Sequence, residues 1–333
     1  MINPLILFLL GFILGILTGF FGVGGGFLLT PALNILGLQM VFAIGTGFFA
    51  LVGKTLFAVM GHYRLGNVDF KLGVTVGLSS IAGVELGKRL VLYLEKLNLA
   101  GMYVRIAYIV LLVLIAIFML KEYYHNWKME KNKQRGDRQG GQEKRSFFLT
   151  HHIYGISLAP RISLPRSGVD SISLWIIIAS GILIGFLSGF MGLGGGFIGL
   201  PLLIYVIGAP TITAVGTSLV IVFLISSYGT AIYALAGYVE WIPAAIILGG
   251  SLIGIQLGVY ATKYVTGMRI KILFAMLLLI VAVSVFLKQI NMATISSYLV
   301  ISSACAICLA IMLPLRERLF ALITRHGRPK DQP

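Results

Sequence analysis

Uncharged, apolar residues run along this chain in long unbroken blocks separated by short polar joints. Met1 to Gly53 holds no Asp, Glu, Lys or Arg, and neither does Ser171 to Val239. About twenty apolar residues, rising about 1.5 Å each, cross the roughly 30 Å hydrocarbon core of a bilayer. On that ruler the candidate membrane segments are 2–38, 39–62, 68–92, 101–121, 172–208, 211–237, 240–262, 269–288 and 294–314. Seven have the length of one crossing. The segments 2–38 and 172–208 are too long for one helix and too short for two complete ones, and each contains a glycine cluster. The first segment lacks the basic start and small-residue cleavage site of a signal peptide, so it reads as a retained helix. The pattern predicts an all-α polytopic membrane protein.

Composition agrees. The chain is 58% hydrophobic and 11% charged, whereas soluble domains are about a quarter charged. A formal charge of +15 would suit nucleic acid, but its distribution does not. Most of the basic residues fall between Lys121 and Arg166 or after Pro314, the pattern of cytoplasmic loops. That predicts a cell-membrane protein with residues 122–170 and the C-terminus in the cytoplasm, and no nucleic-acid partner. Cys305 and Cys308 lie among Ala, Ile and Leu, without the polar context of a redox or metal pair, so they read as small buried hydrophobes.

Residues 122–170 are rich in Gln, Arg, Gly and Lys around 128–145 and read as a flexible linker, with 146–156 more apolar and suited to the membrane surface. The flanking halves are copies. GILTGFFGVGGGFLLTPAL at 15–33 matches GFLSGFMGLGGGFIGLPLL at 185–203 at an offset of 170, and the offset becomes 171 from Gly45-Thr46 and Gly216-Thr217 onward. Four units follow: a first transmembrane repeat at 1–121, the linker at 122–170, a second repeat at 171–288, and an extra helix with a basic tail at 289–333. If linker and tail share one side, an even number of crossings separates them. The second glycine segment must then contribute zero or two crossings, as a re-entrant hairpin or bent pair. If the first does the same, the two repeats run inverted, which puts the 262–271 loop inside with the rule and the 88–105 loop outside against it.

The glycine clusters are the first candidates for chemistry. Gly22, Gly24, Gly25 and Gly26, with Gly192, Gly194, Gly195 and Gly196, should unwind their helices, because each interior glycine costs about 1 kcal/mol against alanine. Free N–H groups and the positive end of a following helix then make an anion receptor. The upstream glycines at 11, 15, 19, 181, 185 and 189 suit close helix packing. Pro31 and Pro201 should end or kink the short second helix. Thr46, Thr217 and Ser218 could line the same cavity or bond back to their own helices. Lys54 stands alone in an uncharged helix, where it could serve an anion or snorkel to the surface. His62, Asp69 and Glu85 are candidates for ion coupling, although a capped loop end for the first two and a helix-surface ion pair of Glu85 with Lys88 or Arg89 explain them as well. No catalytic, metal-binding or nucleotide motif is present, so the chain reads as a non-enzyme without a cofactor.

The doubled G-x-x-x-G-x-x-G-x-G-G-G-x-x-x-x-P-x-L, the Gly-Thr-Gly and Gly-Thr-Ser triplets, and HYRLGNVD at 62–69 together resemble the TauE/SafE sulfite exporter family, also called the toluene sulfonate uptake permeases. The resemblance covers residues 5–288 and departs at Lys54, the long linker and the ninth helix. It implies a secondary transporter of sulfite, sulfonates or sulfoacetate-like anions, with a proton or sodium ion as coupling partner and a second copy of the chain as a candidate neighbour. An anion channel and a non-transporting membrane scaffold are the alternatives.

Overall fold

The structure, a computed structural model, describes residues 3–134, 159–265 and 267–326. The first unit comprises α1 (Pro4–Phe21), α2 (Gly26–Ile35), α3 (Met40–Arg64), α4 (Phe70–Lys96) and α5 (Ala100–Gln134). A small hairpin follows, β1 (Arg161–Leu164) and β2 (Val169–Ser173), pairing Arg161 with Ser173 and Ile162 with Ile172. The second unit comprises α6 (Leu174–Met191), α7 (Gly196–Tyr205), α8 (Thr211–Leu235), α9 (Trp241–Ala261) and α10 (Gly267–Gln289), and α11 (Ala293–His326) ends the described chain. Among the described residues nine helices are long and apolar enough to cross a membrane. Their outer faces expose large apolar side chains, among them Leu78, Leu114, Leu183, Ile242 and Leu309, as lipid contact requires.

Each end has a local cause. Asn3 caps α1 by accepting from the Leu5 N–H (2.9 Å), with Pro4 at the first turn where its missing N–H costs nothing. Asp69 caps α4 through the Leu72 N–H (3.1 Å). Both glycine segments break as their composition requires, each into a long helix and a ten-residue one. Of the two outcomes expected for Pro31 and Pro201, ending or kinking the short helix, the first does not occur. Each is the sixth residue of ten, and beyond it bonding resumes from the Leu36 N–H to Ala32 and from the Val206 N–H to Leu202. One lost bond near the first turn leaves the rest of a short helix intact.

One further expectation is corrected in part. The linker is not unstructured throughout, because α5 runs on to Gln134 and the hairpin fills 161–173. The surface segment expected at 146–156 lies outside the described residues. The C-terminal tail is helical past Pro314, to His326.

The units interlock. The first helix of each packs on the fourth helix of the other, α1 on α9 and α6 on α4, while α3 packs on α8. Small residues set the spacing. Gly11, Gly15 and Gly19 lie against the backbone of Ile247, Ser251 and Ile255, and Gly185 and Gly189 against that of Ser80 and Val84. Residue numbers rise together across both contacts, so these pairs are parallel. Across α3 and α8 they run oppositely: Gly45 meets Tyr238, and Gly216 meets Asn67. With short turns at 65–69 and 236–240, equivalent helices of the two units point in opposite directions. It follows that α1 and α3 run the same way, with the chain between them returning to its starting side. The hairpin, residues 262–265 and the end of α11 then share one end of the molecule.

Candidate functional site

The two helix breaks meet in the middle of the fold. The position a side chain at Gly26 would take is filled by the Leu193 backbone, and that at Gly196 by the Val23 backbone. Leu51 of α3 and Val222 of α8, equivalent across the repeat, both abut Gly24 and Gly194. Phe27 and Phe197, also equivalent, stack with centroids 5.9 Å apart. A pseudo-two-fold axis therefore passes between the loops.

The first loop carries the polar groups. Gly22 closes α1 in the left-handed region (φ 70°), and Gly25 opens α2 in the same region (φ 73°). A Cβ on Gly25 would sit 2.9 Å from Thr18 Oγ1 and 3.5 Å from Lys54 Nζ. Both polar atoms are fully buried, and neither has a hydrogen-bond partner. Among the described residues the Gly26 and Phe27 N–H groups find no acceptor either. Some carbonyls at the breaks are satisfied across the fold: Ser218 Oγ donates to Gly22 O (2.6 Å) and Thr30 Oγ1 to Gly192 O (3.0 Å). Tyr108 donates to Met191 O (2.9 Å) and Tyr233 to Gly189 O (2.7 Å). The unpaired Thr18 hydroxyl, the Lys54 amine and the Gly26 and Phe27 N–H groups are donors gathered at the positive end of a helix. Such a set suits an anion.

The second loop repeats this with one change. Ser188 replaces Thr18, buried and unpaired beside Gly195, while Ile225 stands where the first unit has Lys54. The site is thus polar in two halves and carries an amine in one.

The other sequence candidates are placed elsewhere. Thr46 Oγ1 accepts from the Glu240 N–H (2.9 Å), and Thr217 Oγ1 from the Asp69 N–H (2.9 Å). This is one symmetric pair of ties between the units, neither a cavity lining nor a bond back to its own helix. Ser218 reaches the glycine loop through its carbonyl. Lys54 does not snorkel; it is wholly buried. His62, also buried, donates through Nε2 to Gly19 O (2.8 Å). Asp69 is held at the helix end by the Leu72 N–H and by Ser167 Oγ of the hairpin connection (2.7 Å). Glu85 pairs with Arg89 at 3.0 Å on the surface of α4, as the spacing suggested. Cys305 and Cys308 are free thiols. Thr18 and Ser188 were missed, although each stands seven residues before the last loop glycine, at the same repeat offset. A hydroxyl one turn before a helix end looks like packing until the chain folds back over it.

The sulfite exporter TauE/SafE family matches residues 7–285, both helix breaks included. The chain belongs to the TauE/SafE family. Among similar proteins, a probable membrane transporter of Methanocaldococcus jannaschii is 26% identical over 82% of this chain and 91% of its own. The probable membrane transporter YunE of Bacillus subtilis is 25% identical over 76% and 86%. No solved structure gives a significant match. This TauE/SafE protein is accordingly a multi-pass membrane transporter. The family match stops short of α11, which packs on α10 through reciprocal bonds between Ser284 and Ser296.

Proposed function

We propose that this TauE/SafE protein is a secondary transporter of small sulfur-containing anions, such as sulfite or sulfonates, working by alternating access. The observation that carries the reading is the half-site at Gly25. A buried amine, a buried hydroxyl and the N-terminus of α2 converge there without an acceptor. Free donors and positive potential in a water-poor interior favour one kind of guest, an anion with several oxygens. The substrate class follows from the family's name. The opposed direction of equivalent helices supports inverted repeats, whose exchange of conformation would open the loops to either side in turn. The end of α5, the hairpin, Lys263 and Arg269 share one end, which we assign to the cytoplasm.

The test is reconstitution into liposomes with sulfite, sulfate, taurine, sulfoacetate and thiosulfate. Uptake of at least one should saturate with concentration and should fall at least tenfold in Gly25→Val. Flux linear in concentration and voltage would indicate a channel instead. No flux, together with an indifferent Gly25→Val, would indicate a scaffold.

A further inference from the structure

Lys54 poses a charge problem that the anion site by itself does not resolve. Its amine has no acceptor, and the helices that hold it offer no counter-charge. Helices α1 and α2 contain no ionisable side chain at all. On the other elements packed against α3, Glu95 stands at the far end of α4 and Glu240 at the exposed start of α9, while the following ionisable groups are engaged elsewhere. On α8, Tyr228 meets Glu85 and Tyr233 binds Gly189 O. On α9, Tyr260 lies under Lys263. On α5, Arg105 binds Gln289 and Tyr108 binds Met191 O. Lys71 and Glu85 of α4 bond to Ser163 O and Arg89, Asp69 to Ser167. On α3 itself, His62 binds Gly19 O.

An ammonium in that setting is a bare charge with three unmet N–H donors, placed against the positive end of α2, and burial disfavours it strongly. A neutral amine is tolerable there, and an ammonium beside an anion is tolerable too. The site therefore has two balanced states: amine with no anion, and ammonium with anion. We propose that Lys54 is the coupling residue, taking up one proton with each anion bound and releasing it when the anion leaves, so that transport is anion–proton symport. On loading, the Nζ lone pair accepts a proton from water on the entry side; on unloading the proton returns to water on the exit side, and no bond within the anion changes. The second half-site, with Ile225 in place of the lysine, carries no proton, which fixes the stoichiometry at one. This inference rests on the anion reading above.

The experiment measures proton uptake on anion binding, with the purified full-length protein in weakly buffered solution and a pH indicator. Methanesulfonate, thiosulfate and sulfoacetate are the probes, because they stay fully ionised near neutral pH and cannot carry the proton themselves. Wild type should take up one proton per anion bound. Lys54→Met should fold, as judged by thermal unfolding, and take up none, with affinity reduced at least tenfold. Lys54→Arg, always charged, should bind without proton uptake. Binding by wild type without proton uptake overturns the coupling and leaves the anion site standing. Uptake that survives Lys54→Met and disappears in His62→Gln overturns the assignment to Lys54. Failure of wild type to bind any of the three, or sulfite, removes the anion reading and the coupling with it.

Discussion

Thr18 and Lys54 acquire meaning from their lack of partners. A buried hydroxyl usually bonds to the carbonyl one turn back, as Thr55 does to Leu51 (2.7 Å). Thr18 does not, which leaves its proton free for a guest. A hydrogen bond to a charged group contributes about 1.5–3 kcal/mol, so Thr18→Val should weaken anion binding roughly tenfold to a hundredfold while Thr18→Ser keeps it. Ser188→Ala should cost far less, because no cation reinforces that side. Isothermal titration on the three variants checks this; equal losses at both positions would show the halves to be equivalent. Gly25 is fixed by conformation as well as by space. Gly25→Ala must hold a left-handed φ and press its methyl on Thr18 Oγ1, so it should abolish binding where Gly66→Ala, strained but with nothing within 4 Å, leaves binding intact.

At the scale of the element, one helix offers adjacent glycines with opposite roles. A Cβ at Gly250 would run into the Phe8 backbone of α1, whereas one at Gly249 meets nothing within 4 Å. Gly249→Ala should therefore stabilise α9 by up to about 1 kcal/mol through helix propensity, and Gly250→Ala should part α1 from α9 and destabilise the protein. Thermal unfolding in detergent reads both, and a shift of the same sign in the two would refute the parallel contact of α1 and α9. The ties at helix ends behave as a pair. Thr217→Val should cost about 1 kcal/mol, since it leaves the buried Asp69 N–H unpaired, Thr46→Val less, since the Glu240 N–H is only part-buried, and the double variant about their sum.

For the whole molecule, the consequence of equivalent helices running oppositely is a pair of loops on opposite faces. Lys96 ends α4 and Lys263 follows α9, equivalent places in the two units, and both side chains are exposed. In a background lacking Cys305 and Cys308, Lys96→Cys should react with an impermeant thiol reagent from outside the cell and Lys263→Cys only after permeabilisation. Labelling of both from one side would rule out the inverted arrangement. The same arrangement explains why α1 pairs with α9 and α6 with α4 more closely than with their own units. Exchanging partners buries the small-residue face of each first helix, so neither unit is complete without the other.

The sequence by itself determined the membrane class, the duplication and the helix breaks, and basic residues on both sides of the second unit raised the expectation that the units are opposed. These are local or additive properties: apolar length, glycine's loss of helix propensity, and charge count. Its chemistry was less legible. Thr46 and Thr217 looked like cavity residues because they flank glycines, yet they tie the units together. Thr18 drew no reading from the sequence, yet it lies beside Gly25 and near Lys54. Only the tertiary structure decided these roles, because whether a hydroxyl is spent or free depends on what a segment from the other half, or a loop folded back, brings to it. Lys54 shows the division most plainly: the sequence marked it as an exception, and the fold, by enclosing it without a counter-charge, gave the exception its chemistry.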